Sequence, residues 1–261
     1  DVLILATPSY CLRAMCISIS DILPPYTPVV IASKGIERGS LMLMSEVVKV
    51  VLPNNPVAII SGPNLAEEAA MGLPTATTIA CADINLWDTL MYAIGGRLFR
   101  PYMSDDVIGT QIGGVVKNVI AIACGIAMGR NMGENARAAL VTRGFAEISR
   151  FATALGGRYE TLMGLSGIGD LMLTCNSLKS RNMSFGLAIG QGKSKDEILS
   201  SRGRTAIEGV VSAESVCKLA KKHNVSMPIC EAVYRIIHEN AELDQVIDTL
   251  LERPFVNEAG G

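Results

Sequence analysis

Three charged side chains in the middle part of the sequence have the chemistry needed for proton transfer and anion binding. Lys117 lies within residues 115–127, a run that is otherwise apolar, where a charged amine is costly to bury. Burial lowers the pKa of a lysine, and a lysine whose pKa approaches neutrality is a ready general base. Asp170 supplies a carboxylate that could orient this amine, and Arg181 supplies a fork of donors for a phosphate or a carboxylate.

Each of these signals also has a structural interpretation when it is taken alone. Asp170 could be the N-cap of the next helix, and residues 180–182 could form a polar turn. Lys34 could be an exposed loop lysine, and Glu208 could be a surface carboxylate. A function is therefore predicted only from the order in which such residues follow one another.

The composition gives ample material for a core and no basic face. Of the 261 residues 49% are hydrophobic and 18% are charged, and the formal net charge is −2. The chain has no long cluster of Lys and Arg, so binding to a nucleic acid is not expected. The most apolar stretch is interrupted by Lys117, and we interpret it as too short to span a bilayer.

The 7 cysteines and 2 histidines lack the spacing of a metal site. The cysteine count is odd, no pair has the spacing typical of zinc ligands, and neither His223 nor His238 falls beside a cysteine pair. We therefore expect free thiols, a reducing cytoplasmic compartment and no bound metal.

Short β-type runs alternate with helical patterns in the first part of the sequence, which is typical of a parallel sheet covered on both faces. The predicted strands are residues 2–6, 28–32, 57–60, 76–80 and 98–103, and the predicted helices are residues 11–21, 41–52, 65–71 and 85–94. Open α/β sheets bind ligands at the carboxyl ends of their strands. The polar turns at residues 33–35 and 61–64 follow two predicted strands, so we expect them to contact a ligand.

From about Asp106 onward the strand signals stop and helical patterns replace them. The predicted helices are residues 107–128, 135–154, 159–162, 170–173, 183–189, 194–199, 212–223, 228–239 and 243–251. This shift predicts an α/β domain over residues 1–108 and an all-α domain over residues 109–261. Arg137 and Arg143 are expected to make structural ion pairs, for example with Glu147.

Several sequence blocks follow one another in a recognisable order. They are residues 33–37 (SKGIE), 61–68 (SGPNLAEE), 113–123 (GGVVKNVIAIA), 135–144 (NARAALVTRG), 164–175 (GLSGIGDLMLTC), 180–182 (SRN) and 208–210 (EGV). This order resembles that of the bacterial-type NAD(P)-dependent glycerol-3-phosphate dehydrogenases, and the match runs from Asp1 to about Pro228. The 6-phosphogluconate and 3-hydroxyisobutyrate dehydrogenases also use a lysine, but they are not expected to show the series from Gly-Asp-Leu to Ser-Arg-Asn.

The resemblance implies a role for each matching residue. Lys117 is similar to the family's general acid/base, with Asp170 holding its amine in line and Lys34 lowering its pKa by like-charge repulsion. The implied substrate-binding residues are Lys34, Gly62, Asn64 (where the family usually has Ser or Thr), Lys117, Asp170, Thr174, Ser180, Arg181 and Asn182. The implied cofactor-binding residues are Lys34, Ala66, Arg181, Ala206 and Glu208.

One departure from the family concerns the cofactor. The family opens with a strand and a Gly-x-Gly-x-x-Gly turn, which brings backbone amides to a pyrophosphate, and this sequence has no such motif. The strand predicted at residues 2–6 looks like the one that follows the first βα units, so we expect an N-terminal portion to be missing and the Rossmann-type domain to be incomplete. Such a chain is expected to bind NAD or NADP weakly and to have little activity by itself.

The reaction that the resemblance implies is hydride transfer between C2 of sn-glycerol 3-phosphate and NAD or NADP, giving dihydroxyacetone phosphate. Ser180, Arg181 and Asn182 would hold the phosphate, and the product would supply phospholipid synthesis in the cytoplasm. The expected partner is this small phosphorylated substrate, with no nucleic acid and no membrane span, and a homodimer is left open. Two alternatives remain: a related β-hydroxyacid dehydrogenase, and a non-catalytic fragment or dimerising helical module.

Overall fold

The computed structural model describes residues 1–201 and 206–254, which form two compact units. The first unit consists of Asp1–Val115 and Ala152–Leu173. The second consists of Val116–Phe151 and the described residues from Thr174 onward. The domain boundary near Ile108 stays a prediction.

The first unit contains a sheet of five short strands in the order β1-β2-β3-β4-β5. The strands are β1 (Leu3–Leu5), β2 (Val29–Ile31), β3 (Val57–Ser61), β4 (Thr75–Cys81) and β5 (Phe99–Ser104). Their neighbouring helices are α1 (Leu12–Ile19), α2 (Met44–Val51), α3 (Ala66–Ala70) and α4 (Trp87–Ile94). Every strand and helix predicted for this part of the chain is present, with ends that differ by a few residues.

Apolar side chains cover both faces of this sheet. Val29 and Ile31 belong to a buried cluster with residues of α1 and α2, whereas Val30 belongs to a second cluster that includes Leu90 of α4. Successive side chains of a strand point to opposite faces, so the three-residue strand β2 contributes to both clusters. The predicted two-sided burial is confirmed.

One strand pair differs from the all-parallel prediction. β1–β2, β2–β3 and β4–β5 are parallel, but β3 and β4 are antiparallel. The only helix between them, α3, has 5 residues and is about 8 Å long, whereas the 5-residue β3 is about 17 Å long. Because α3 is too short to carry the chain back along β3, β4 runs in the opposite direction.

From Val107 onward the described residues form helices and no strand, as predicted. A 23-residue helix, α5 (Val107–Gly129), runs from the first unit into the second. The remaining helices are α6 (Gly133–Ala154), α7 (Tyr159–Leu162), α8 (Asp170–Asn176), α9 (Arg181–Gly190), α10 (Lys195–Ser201), α11 (Glu208–Lys222), α12 (Pro228–His238) and α13 (Leu243–Leu251), with a π-helical turn at Leu165–Gly169. The fold class, α/β followed by all-α, is confirmed.

Helix α5 is longer than the apolar stretch that the sequence indicated around Lys117. By length and composition it could cross a bilayer, so the interpretation that this stretch is too short is wrong. However, 83% of its most apolar window is buried inside the protein, as in the core helix of a globular protein. Among the described residues it is the one helix that meets the length and composition criteria.

Helices α5 and α9 approach each other closely within the second unit. A Cβ atom at Gly125 would overlap the carbonyl oxygen of Met183, and one at Gly186 would overlap that of Ile122. Glycine at both positions therefore lets the two backbones touch. This contact fixes the part of α5 that follows Lys117 against the helix that begins at Arg181.

Glu147 of α6 holds the beginning of α12. Its carboxylate is 1% exposed and accepts hydrogen bonds from the backbone N–H groups of Ile229 at 2.6 Å and Cys230 at 3.2 Å. Burial raises the pKa of Glu147 to about 7, although these two N–H groups act in the opposite direction. The predicted ion pair with Arg143 is not found among the described residues, because the carboxylate is turned toward α12 instead.

The raised pKa of Glu147 predicts a pH-dependent stability. The folded state retains this proton more tightly than the unfolded state, whose glutamate has a pKa of 4.5, so the free energy of unfolding falls as pH rises from 4.5 to about 7. The contribution lost over that window is roughly 3 kcal/mol. Urea denaturation of wild type and Glu147→Gln between pH 4.5 and 8 measures it. The difference between the two proteins should change with pH, and parallel curves would contradict this role of Glu147.

Candidate active site

The amine of Lys117 lies inside the second unit with a defined partner. Lys117 is 7% exposed, and its Nζ donates a hydrogen bond to Oγ1 of Thr174 at 3.0 Å. Val116 and Ile120, its neighbours on α5, are fully buried. An apolar helix thus carries a buried amine, as the sequence indicated, and a hydroxyl group compensates part of the cost of burying it.

Lys34 and Asp170 form an ion pair in the first unit. Lys34 follows β2, Asp170 begins α8, and Nζ lies 2.9 Å from Oδ2. The Asp170 side chain is 1% exposed and the Lys34 side chain 25%. Sequence reasoning assigned Asp170 to the amine of Lys117 and did not find this pair, since 136 residues separate its members. A contact between Asp170 and Lys117 stays a prediction.

The Gly113–Gly114 pair is explained by close contacts of α5 within the first unit. A Cβ atom at Gly114 would lie 2.7 Å from Oγ of Ser61 and 3.5 Å from Cδ of Lys34. One at Gly113 would overlap the carbonyl oxygen of Ser166. The two glycines therefore bring the backbone of α5 against the end of β3 and the Lys34 side chain.

The loop after β3 combines a glycine with positive φ, Gly62, and a polar side chain, Asn64. Gly62 has φ +155°, and a Cβ there would lie 3.1 Å from Cα of Thr77, so glycine is required. Asn64 donates from Nδ2 to Oγ1 of Thr77 at 2.9 Å. Its Oδ1 atom is buried and has no hydrogen-bond partner among the described residues. Ala66, the first residue of α3, is exposed.

Two more buried hydroxyls lie near the carboxyl ends of parallel strands. Oγ1 of Thr7, just after β1, and Oγ of Ser61, at the end of β3, lack partners within the described part of the chain. Open α/β sheets bind ligands at this edge. A buried hydroxyl group without a hydrogen bond is costly, unless a ligand or a water molecule supplies the missing partner. These atoms fit the polar groups of a dinucleotide. Sequence reasoning missed Thr7 and Thr77, and only Ser61 lay in a block that it singled out.

The residues at 180–182 hold two helix beginnings together in the second unit. Ser180 is the N-cap of α9, and its Oγ accepts the N–H of Met183 at 3.3 Å. Asn182 donates from Nδ2 to Oδ1 of Asn118 and accepts the N–H of Gly209, both at 2.9 Å. Because these caps extend the helices, α9 begins at Arg181 and α11 at Glu208, two and four residues before the predicted starts.

The predicted site residues therefore divide between the two units. Lys34, Gly62, Asn64, Ala66 and Asp170 belong to the first, whereas Lys117, Thr174, Ser180, Arg181, Asn182, Ala206 and Glu208 belong to the second. Arg181 is exposed at the beginning of α9, and Ala206 precedes α11. Among the residues that the structure describes, no group of three or more His, Cys, Asp or Glu side chains could hold a metal ion.

Comparisons with known proteins give the family. Residues 1–87 match the family model for the N-terminus of NAD-dependent glycerol-3-phosphate dehydrogenase, and residues 106–248 match the model for its C-terminus. The chain belongs to the NAD-dependent glycerol-3-phosphate dehydrogenase family. The recognition made from the sequence blocks is confirmed.

Individual members of the family are similar over nearly the whole chain. The glycerol-3-phosphate dehydrogenases (NAD(P)+) of Parvibaculum lavamentivorans and Maricaulis maris are 49% and 50% identical to it over 258 residues, which is 99% of this chain and 77% of each relative. The crystal structure of glycerol-3-phosphate dehydrogenase from Coxiella burnetii is 42% identical, with a TM-score of 0.92 over 96% of this chain and 76% of that one.

The Lys34–Asp170 pair predicts an asymmetry between two substitutions. Lys34→Met leaves a carboxylate that is 1% exposed without its lysine, and loss of one member of a buried pair costs roughly 3–5 kcal/mol. Asp170→Asn leaves a lysine side chain that is 25% exposed and can reach water, so its cost should be smaller. Urea denaturation at pH 7 gives both values.

A matched control for this comparison is Lys218→Met, which breaks a surface pair with Glu214 within α11. This change should cost about 0.5 kcal/mol or less. A larger loss for Asp170→Asn than for Lys34→Met would show that burial does not decide the strength of the pair.

Proposed function

We propose that this chain interconverts sn-glycerol 3-phosphate and dihydroxyacetone phosphate with NAD or NADP, using Lys117 as the general acid/base. Membership of the glycerol-3-phosphate dehydrogenase family supports the reaction, since both family models match. The observation that carries the mechanism is the buried amine of Lys117 with its hydrogen bond to Thr174.

Lys117 moves the hydroxyl proton of the substrate. In this role Nζ is a neutral amine during oxidation of the substrate, with one N–H donated to Thr174 and the lone pair directed at the C2 hydroxyl group. On oxidation the proton passes from this hydroxyl to Nζ as the carbonyl forms, and on reduction it returns to the carbonyl oxygen. General acid–base catalysis of this kind contributes about 10²- to 10⁴-fold to a rate.

The bound cofactor supplies a nicotinamide ring that accepts or donates the hydride. We propose that Lys34, Ala66, Arg181, Ala206 and Glu208 hold it. The hydroxyl of Ser61 and the carbonyl oxygen of Asn64 have no hydrogen-bond partner among the described residues, which supports binding of a polar ligand beside Lys34, at the carboxyl ends of the strands.

Asp170 acts here by holding Lys34. The carboxylate is almost fully buried and its ion pair fixes the lysine amine after β2, so the positive charge of Lys34 has one position. Gly62 and Asn64 form the loop on which the substrate is proposed to lie, and Thr174 sets the direction of the Lys117 amine. Asp170 and Thr174 are four residues apart on α8, so they share one face of that helix.

The phosphate of the substrate is proposed to bind at the beginning of α9. A helix N-terminus offers free N–H groups and a partial positive charge, which suit a phosphate. Arg181 is exposed there and adds a guanidinium group. Ser180 and Asn182 were expected to contact the phosphate directly, and we propose that they act there chiefly by fixing α9, since the Oγ of Ser180 and the amide of Asn182 already have partners.

In the cell we propose a cytoplasmic enzyme that supplies glycerol 3-phosphate for phospholipid synthesis. The seven cysteines, all in the described part of the chain, are free thiols, which supports a reducing compartment. A homodimer remains a proposal without a structural argument.

Substitution of Lys117 tests the assignment of the base. In an enzyme that also carries the family's Gly-x-Gly-x-x-Gly segment, Lys117→Met should lower kcat by about 10²- to 10⁴-fold, because the proton acceptor is lost. The dissociation constant for the reduced cofactor and the unfolding midpoint should change little, since methionine suits the apolar helix. Steady-state kinetics and calorimetry measure these quantities. Lys49→Met, on the exposed face of α2, is the control and should keep full activity. A Lys117→Met enzyme that retains a third of the wild-type rate would remove Lys117 from this role.

Substitution of Arg181 tests the position of the phosphate. In the same extended enzyme, Arg181→Ala should raise KM for dihydroxyacetone phosphate about ten- to a hundredfold, because a charge-assisted hydrogen bond is lost. Activity toward unphosphorylated dihydroxyacetone should change little, because that substrate offers no anion. Arg130→Ala, which breaks a surface pair with Asp244, is the control. If both substrates weaken equally, Arg181 acts on the cofactor or the fold and the phosphate lies elsewhere.

A further inference from the structure

A large cavity lies within the second unit and has no place in the reaction described above. Its volume is about 550 Å³, in the range typical of pockets for small molecules. Helices α5, α6, α12 and α13 form its walls. None of the residues proposed to act in the dehydrogenase reaction lines it.

Small side chains create this cavity. Ala123 and Ala127 of α5, Ala139 of α6 and Ala232 of α12 present methyl groups where larger side chains would fill the space. The remaining wall is aliphatic, with Ile, Leu, Val and Met side chains, and no aromatic side chain is among the described residues that line it. A nucleotide base would therefore find no ring on which to stack, whereas an alkyl chain would contact matching groups on several sides.

The charges in the cavity wall are mostly positive. Arg143, Arg150 and Arg253 line it, and Glu147 is the one acidic residue among the described lining residues. The Glu147 carboxylate is already bonded to the N–H groups of Ile229 and Cys230. Arg150 donates to the carbonyl oxygen of Ser226 at 3.2 Å.

Arg143 lacks a counter-charge in the described part of the chain. It is half-buried, and it makes no ion pair or hydrogen bond with any residue within 1–201 or 206–254. A guanidinium stays charged at every physiological pH and is costly beside apolar groups unless an anion compensates it. The site thus combines an aliphatic wall with an uncompensated cation.

We propose that this cavity binds an amphipathic anion, a straight-chain alkyl carboxylate, with the chain against the aliphatic wall and the carboxylate on Arg143. Charge complementarity selects the headgroup, and the absence of aromatic rings from the described wall selects the alkyl chain. The site is independent of the dehydrogenase reaction, because Lys117 and Arg181 take no part in it.

Calorimetric titration of the enzyme with decanoate tests the proposal, with decanol and decyltrimethylammonium as probes of equal chain length. Decanoate should bind saturably at one site, and the other two should bind at least tenfold more weakly. Arg143→Met should weaken decanoate binding about ten- to a hundredfold, as expected for loss of a charge-assisted bond. Arg137→Met should change nothing, since Arg137 lies on the same helix but pairs with Glu134 and does not line the cavity.

Two variants that fill the cavity, Ala139→Leu and Ala139→Phe, should abolish binding of decanoate while kcat and KM for dihydroxyacetone phosphate remain unchanged. Two variants are used because the larger side chain can disturb folding, which urea denaturation checks. Lys117→Met should bind decanoate like wild type, so failure of the proposed reaction and failure of this site are distinguished.

Several results would overturn the proposal. They are the absence of saturable binding at millimolar decanoate, equal binding of decanol, unchanged affinity in Arg143→Met, and binding only after removal of residues 255–261, which would make the chain's own end the occupant. A dimer that Ala139→Leu converts to monomers, in a protein that does not bind decanoate, would identify a second copy as the occupant and would also overturn it.

Discussion

Lys117 is only 7% exposed as a residue and lies on an apolar helix, so the partners of its amine must lie inside the protein. Thr174 is one such partner, through its hydroxyl oxygen. The next residue, Asn118, carries a buried amide that is bonded to Asn182, which in turn binds the N–H of Gly209. These contacts next to Lys117 fix the beginnings of α9 and α11. The two helices begin at Arg181 and Glu208. The contacts made possible by Gly125 and Gly186 hold α5 and α9 in that register.

In the first unit, the charged groups that need partners are Lys34 and Asp170. Lys34 follows a strand whose three side chains are all fully buried, and its charge is matched by an aspartate that is itself almost inaccessible. A carboxylate buried as deeply as that of Asp170 needs a compensating positive charge, because an uncompensated buried charge is strongly destabilising. Around it lie hydroxyl and carbonyl groups without partners among the described residues, at the ends of β1 and β3. The charge of Lys34 is compensated by Asp170, whereas the nearby hydroxyl and carbonyl groups still need hydrogen-bond partners. A polar ligand could supply those partners.

The sequence predicted local structure well because its signals are local. Period-2 and period-3.6 patterns gave all five strands and the helices of both units, and the buried position of Lys117 followed from its apolar neighbours. Interactions between distant residues could not be read in this way. The Lys34–Asp170 pair, the direction of β4 and the turning of Glu147 toward α12 instead of Arg143 depend on how elements pack. The early starts of α9 and α11 depend on caps such as Ser180, whose hydroxyl marks a helix beginning only once its N–H partner is known.

The most direct test of the central claim is the pH dependence of hydride transfer in a single turnover, followed in both directions by nicotinamide absorbance. A single group that accepts the proton in one direction must donate it in the other. The rate of glycerol 3-phosphate oxidation should therefore rise with pH, the rate of dihydroxyacetone phosphate reduction should fall, and both dependences should disappear in Lys117→Met. Rates that move in the same direction with pH, or opposite pH dependences that persist in Lys117→Met, would contradict a single lysine as the acid and the base.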